Sequence, residues 1–168
     1  MRRARVPVLR VMVGGPGCGK STYCDRQLAY GGFGVRLSLD RARAVLGRHE
    51  HDPAATPAAV RAVHAIADAL LAAGHDVTID ATATTARERG TWLDLAGHHR
   101  VAADAVIVRA PLDVALARNA GRSRPVPAPV VREYWHRVDA LTPAVLRAEG
   151  FRAVTEVDTT STLTWEIC

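Results

Sequence analysis

Residues 14–21 read Gly14-Gly15-Pro16-Gly17-Cys18-Gly19-Lys20-Ser21. They fit GxxxxGK[ST], a loop whose backbone N–H groups cradle phosphate oxygens while its lysine reaches the terminal phosphates. The flanking sequence supplies the context the motif requires. Val6 to Val13 is an apolar run that predicts a buried strand, and Lys20 to Leu28 predicts a helix opening at the loop. Gly14, Gly17 and Gly19 permit backbone conformations and close approaches that a side chain would block. Composition points the same way. Of the 22 Lys and Arg residues, Lys20 is the one lysine. A compact ammonium stands where a planar guanidinium is a poor substitute. The stretch implies binding of nucleoside-triphosphate phosphates by Gly14, Gly15, Pro16, Gly17, Cys18, Gly19, Lys20, Ser21 and Thr22. The donor is read as ATP, with GTP open because no base-reading motif is visible. The Ser21 hydroxyl is placed to ligate Mg²⁺.

Outward from the loop, strands and helices alternate. Gly34 to Leu39 predicts a second strand ending at Asp40, and Arg41 to Leu46 a helix stopped by Gly47. A polar loop with Pro53 and Pro57 leads to a helix from Pro57 to Ala73. His75 to Ile79 is a third strand ending at Asp80, Ala86 to Ala96 a helix, and Ala105 to Val108 a fourth strand. Leu112 to Asn119 is helical and Gly121 to Pro129 a Pro-rich loop. Helices from Val130 to Leu141 and from Pro143 lead to a last strand, Ala153 to Val157. This alternation predicts a three-layer α/β/α domain with a central parallel sheet. One domain is expected over residues 1–168, with an arginine-bearing lid at about 118–135.

Two strand-end aspartates carry the chemistry beyond the loop. Asp40 sits where ligands of α/β sheets gather, and can orient or deprotonate an attacking hydroxyl. Its structural alternative is an N-cap for the next helix. Arg43 follows one helical turn later and can clamp an acceptor phosphate, or else be a solvated surface arginine. Asp80 ends Val77-Thr78-Ile79, the position where a carboxylate binds Mg²⁺ directly or through water. Thr82 can donate to substrate oxygens, while Thr84 or Thr85 is expected to cap a helix. Arg118 and Arg122, four apart on a predicted helix face, with Arg124 beyond, read as a mobile lid covering a triphosphate, or else as a solvated charge run. His49-x-His51 lacks a third ligand, and His98 and His99 are helix-end residues. Val130, Val131, Tyr134, Val138 and Leu141 fall at helical spacing, so core packing is favoured over a base-stacking role for Tyr134 and Trp135.

Charge and composition set the outer bounds. The net charge of +5 suits a polyanionic partner, though arginine on a solvated surface would also produce it. Apolar residues make up 48%, which argues against disorder. No run approaches the ~18 consecutive apolar residues of a membrane span. Cys18, Cys24 and Cys168 form no CxxC pair, the usage of a reduced compartment, and a cytoplasmic protein without a signal peptide is expected.

Together these residues resemble the P-loop kinase domains of polynucleotide 5′-hydroxyl kinases. The resemblance runs from about Val8 to Asp158. It is carried by residues 14–22, by Asp40-x-x-Arg43, by Val77-Thr78-Ile79-Asp80-Ala81-Thr82, by Arg118-Asn119-x-x-Arg122-x-Arg124-x-Val126-Pro127, and by Glu149-Gly150-Phe151. It implies that Lys20 and Ser21 act on phosphates and Mg²⁺, and that Asp40 is the general base toward a nucleic-acid 5′-OH. It further implies that Arg43 holds the acceptor phosphate and that Arg122, Arg118 or both contact the donor phosphates. The family often has Asn where this chain has Ala83. Two other readings stay open. One is a small-molecule or modified-nucleobase kinase of the same fold; the other is a regulatory ATPase without a phosphoacceptor.

Overall fold

The structure, a computed structural model, describes residues 6–50 and 52–160. His51, Cys168 and the N-terminal arginines, on which parts of the sequence reading fall, lie outside the described residues. Five strands, β1 (Val8–Val13), β2 (Val35–Ser38), β3 (Val77–Asp80), β4 (Ala102–Arg109) and β5 (Ala153–Asp158), form one sheet in the order β2-β3-β1-β4-β5. Every pairing is parallel; Val11 lies opposite Ile79 on one side and Ala105 on the other, and Ser38 lies opposite Asp80. Parallel pairing requires long crossovers. These are α1 (Lys20–Ala29), α2 (Leu39–Leu46), α3 (Thr56–Ala72), α4 (Ala86–His99), α5 (Leu112–Ala120), α6 (Ala128–Asp139) and α7 (Pro143–Glu149).

The strand period of two divides the core. Leu9, Val11 and Val13 of β1 face a large cluster with Val63, Leu71, Trp92, Leu95, Leu146 and Phe151 from α3, α4, α7 and its C-terminal turn. Met12 faces a smaller cluster with Tyr23, Cys24 and Phe33, on the side of α1. The P-loop NTPase α/β fold read from the sequence is therefore present, with helices on both faces of the sheet. No helix among the described residues is long and apolar enough to cross a membrane.

Local chemistry moved several boundaries. The second strand stops at Ser38, whose hydroxyl accepts from Arg41 N at 3.3 Å and so caps α2. Asp40 is thus neither a strand end nor a cap; it stands in the first turn of α2. α6 begins at Ala128, inside the expected Pro-rich loop, because Pro129 is tolerated in a first helical turn where no N–H partner is needed. β4 is twice the expected length, with Asp104 at its start paired to Arg152 beside β5. Thr85 caps α4 in a reciprocal box with Glu88.

Candidate active site

The loop between β1 and α1 opens at Gly14, whose N–H donates to Thr82 O at 2.9 Å and so ties the loop to the segment after β3. Gly17 has φ +77°, and a Cβ there would sit 2.1 Å from Ala115 O. Gly19, at φ +94°, is the N-cap of α1 and supplies no side-chain cap. The first N–H groups of α1 therefore keep their capacity for an anion, as the positive end of a helix favours. Lys20 folds over the loop, donating from Nζ to Gly14 O at 2.7 Å and Gly15 O at 3.0 Å, with Cys18 Sγ at 3.8 Å.

The loop forms one wall of a cleft of about 550 Å³. Gly15, Pro16, Gly17, Gly19, Lys20, Ser21 and Thr22 line that wall; Asp40, Arg43, Pro53 and Thr56 line another; Asp80, Ala81 and Thr82 form part of the lining. Arg118, Arg122, Val126, Val130 and Tyr134 complete it. Lys20, Ser21, Thr22, Asp40, Arg43, Asp80, Thr82, Arg118 and Arg122 thus converge here, whereas Arg124 does not line the cleft. Gly14 and buried Cys18 stand behind the loop and do not line the cleft.

The convergence rests on specific contacts. Asp40 and Arg43 form an ion pair through Oδ1 and Nη1, and Arg43 Nε also donates to Thr56 Oγ1 at 3.0 Å. Arg43 is therefore held against α3 and Asp40 is the more exposed partner. The Ser21 hydroxyl donates to Asp80 Oδ2 at 3.3 Å. Two hard oxygen donors this close, at the edge of a phosphate-binding loop, fit the preference of Mg²⁺. The nucleotide fits as well: the N-terminus of α1 carries no side-chain cap, and the Lys20 ammonium stands over the same loop.

The lid differs from its sequence reading. α5 ends at Ala120, so Arg122 lies beyond the helix and does not share a face with Arg118. What unites them is the cleft. Arg118 donates to Thr159 Oγ1 at 2.7 Å and to Thr159 O at 3.3 Å, while Thr159 Oγ1 donates to Cys18 O at 2.8 Å. The loop from 121 to 127 is pinned by buried Asn119, which gives Nδ2 to Val126 O at 2.8 Å and takes Val126 N at 3.1 Å. Val130 and Tyr134, expected in the core, line the cleft instead, whereas Val131, Val138 and Leu141 are buried. Trp135 donates Nε1 to Ala110 O at 2.9 Å and is not a stacking platform in the cleft.

Sequence reasoning missed Arg36 and Thr159, and quoted Asn119 within the lid motif without a role for it. Arg36, on β2, donates Nε to Asp80 Oδ2 at 3.0 Å, adds an Nη2 contact to the same oxygen, and pairs through Nη1 with Asp25 of α1. Burial works against its charge, but the charge and hydrogen bonds of Asp80 outweigh that and the guanidinium is held above its usual range. An arginine inside the short run Val35-Arg36-Leu37 was the available signal. Cys24 is an inert core thiol, pushed up to about 12 chiefly by burial.

A parallel sheet with a phosphate loop at the C-terminal end of a central strand, flanked by a second carboxylate-bearing strand end, defines a P-loop NTPase class of site. The chain belongs to the AAA domain family AAA_33, whose model matches residues 9–142, and is a P-loop kinase domain of that type, which implies nucleotide binding, typically with Mg²⁺. No curated protein sequence matches it. Among solved structures it is similar to a chain of the Pnkp1/Rnl/Hen1 RNA repair complex, with 22% identity and a TM-score of 0.64. That similarity covers 82% of this chain and 46% of the other, so the chain spans less than half the length of this relative. It is also similar to a protein of Chloroflexus aurantiacus, at 17% identity and a TM-score of 0.69 over 99% of this chain and 91% of that one. A gluconokinase from Sinorhizobium meliloti follows at 18% identity and a TM-score of 0.57, over 95% and 86%. Likeness at these identities is a likeness of fold.

Proposed function

We propose that the protein is an ATP-dependent kinase that phosphorylates the 5′-hydroxyl end of a nucleic acid. The observation that carries this reading is the Asp40–Arg43 ion pair standing on the wall of the same cleft as Lys20, Ser21 and the lid arginines. A triphosphate-hydrolysing switch needs no second charged pair facing the donor, whereas a phosphotransferase to a phosphate-bearing acceptor does. Likeness to a chain of an RNA repair complex supports the nucleic-acid acceptor.

In this reading the loop backbone, the N-terminus of α1 and Lys20 bind the donor phosphates. Lys20 exchanges its carbonyl partners for the β- and γ-phosphate oxygens. Asp40 orients the acceptor hydroxyl and accepts its proton as that oxygen bonds to the γ-phosphorus. The bond from this phosphorus to the β–γ bridging oxygen breaks, and ADP leaves. Arg43 holds the phosphate next to the acceptor's terminal sugar; its contact to Thr56 fixes the guanidinium plane. Arg118 and Arg122 neutralise charge developing on the transferred group, and Thr82 donates to the acceptor or donor oxygens. Mg²⁺ held by Ser21 and Asp80 would supply further neutralisation of the phosphate oxygens.

The experiment is label transfer from γ-labelled ATP to a 5′-OH oligonucleotide, with the 5′-phosphorylated oligonucleotide as the blank. Asp40→Asn should lower kcat by about 10²–10⁴-fold, the range of a lost general base, with ADP affinity unchanged. Label on neither strand, with ATP bound, would transfer the reading to a small-molecule acceptor. Full activity in Asp40→Asn would remove Asp40 from the mechanism.

A further inference from the structure

We infer that Arg36 is a positioning residue, gripping Asp80 by one carboxylate oxygen so that Asp80 in turn fixes the Ser21 hydroxyl at the metal and phosphate end of the cleft. The inference rests on the nucleotide-binding half of the reading above and is independent of the acceptor.

Arg36 lies on the edge strand β2, where an arginine could reach solvent, yet its side chain is only 9% exposed. It does not line the cleft, so it cannot touch a substrate there. Its Nε and Nη2 both meet Asp80 Oδ2, the oxygen that also accepts from Ser21 Oγ. Three donors on one oxygen fix the plane of a carboxylate that would otherwise rotate, and leave Oδ1 for the site. With its proton committed to Asp80, the Ser21 hydroxyl turns its lone pairs away from that carboxylate, as a ligand to a hard cation must. The third nitrogen, Nη1, pairs with Asp25 on α1, the helix that carries Ser21. Arg36 thus bridges the strand-end carboxylate and an exposed carboxylate of the loop helix, and its firm grip is the one on Asp80. Stability alone gives no reason for the arrangement, since a buried ion pair is seldom better than apolar packing of the same volume. Outer partners of metal ligands, in contrast, commonly set ligand orientation and affinity.

The test measures binding of Mn²⁺, as a paramagnetic stand-in for Mg²⁺, to the full chain saturated with ADP, by electron paramagnetic resonance. Arg36→Gln should weaken Mn²⁺ binding by about 10–100-fold, the range for loss of an outer partner. ADP affinity without metal should stay at the wild-type value, a constancy that general disruption of the fold would not preserve. Arg36→Lys keeps the charge and tolerates the fold, but has one nitrogen and loses the two-point grip, so it should fall between wild type and Arg36→Gln. Wild-type Mn²⁺ affinity in a folded Arg36→Gln, or in Arg36→Lys if the glutamine variant does not fold, would overturn the inference. So would tighter Mn²⁺ binding, which would make Arg36 a charge competitor of the metal. The wild-type measurement itself tests the nucleotide reading, so the two failures are separate.

Discussion

Replacing Gly17 with alanine isolates the steric basis of the phosphate loop. The new Cβ would lie 2.1 Å from Ala115 O and 2.9 Å from its carbonyl carbon, against 3.4 Å or more for ordinary contact. Relief requires a displacement of about 1.3 Å, the difference between 3.4 and 2.1 Å. Ala115 is buried inside α5 and its carbonyl is held in the helix, so the loop must be the part that moves. A shift of that size breaks at least one loop N–H bond to a bound phosphate. A hydrogen bond to a charged group contributes about 1.5–3 kcal/mol, which corresponds to about a 10- to 150-fold loss of affinity. Titration calorimetry of Mg·ADP into the variant measures this directly, with circular dichroism to verify folding. Gly31→Ala is the control: its φ of +74° strains alanine similarly, but nothing lies within 4 Å of the added Cβ. Gly31→Ala should therefore bind nucleotide as wild type does. If Gly17→Ala binds Mg·ADP as tightly as wild type, the close-approach argument is wrong.

Other substitutions probe the scaffold. Gly90→Ala, in the interior of α4 with open space around the added Cβ, should stabilise by about 0.5–1 kcal/mol; scanning calorimetry should show Tm rising by roughly 2–4 °C per kcal/mol, and a fall would indicate an unrecognised contact. Glu149→Ala strips Arg89 of two contacts at 2.6 Å and leaves that 2% exposed guanidinium, among the described residues, with Ala83 O. Removing one partner of a buried pair costs about 3–5 kcal/mol, so urea denaturation should show a loss toward the lower figure because Glu149 is partly exposed; a change below about 1 kcal/mol would contradict the pairing. Asp52, held at about pKa 2 chiefly by the Arg48 N–H and side chain, has a folded pKa below its unfolded one. Its contribution is thus present above about pH 4 and lost as pH falls toward 2. Asp52→Asn should therefore lower Tm at pH 6, and the gap to wild type should shrink on acidification; a gap independent of pH would refute the linkage.

The fold was legible because its signals are local. Hydrophobic runs of four to eight residues ending at Gly14, Asp40 and Asp80, separated by helical stretches, are enough to write a parallel sheet, and the glycine spacing at 14–19 places the phosphate loop. The candidate site was legible where a short stretch of sequence carries it: Lys20, Ser21, Asp40, Arg43, Asp80, Arg118 and Arg122 all line the cleft. What escaped depends on contacts far apart in the chain. Arg36 meets Asp80 across 44 positions and Arg118 meets Thr159 across 41, and no window of sequence contains both partners. Ala83 is instructive in another way. Its φ of +44° lies in the left-handed region, which Asn enters more readily than Ala. An Asn at this position would therefore suit the backbone better than the Ala present. Here Arg89 Nη1, donating to Ala83 O at 3.0 Å, helps hold the strained turn.

The strand order explains why residues from five separate segments meet. With β3 between β2 and β1, the C-terminal ends of these strands lie side by side, each about 4.8 Å from the next. Ser38 opposite Asp80 puts the start of α2, and so Asp40, level with the end of β3. The phosphate loop leaves β1 one strand further on. Proposed acceptor, metal and donor positions thus follow one another across roughly 10 Å of sheet edge, two strand spacings, at the point where the chain reverses its direction of travel through the sheet. β4 and β5 continue the row with α5, which brings Arg118, and with Thr159, which anchors it to the loop carbonyl of Cys18. In the proposed reading, donor and acceptor are therefore approached from opposite ends of one line. A change in acceptor specificity can arise in α2 and α3 without disturbing the nucleotide half. That separation gives a physical reason why a single fold accommodates both an RNA repair chain and a gluconokinase among its structural neighbours. In the same reading, the acceptor of this chain is selected by the wall formed by Asp40, Arg43, Pro53 and Thr56.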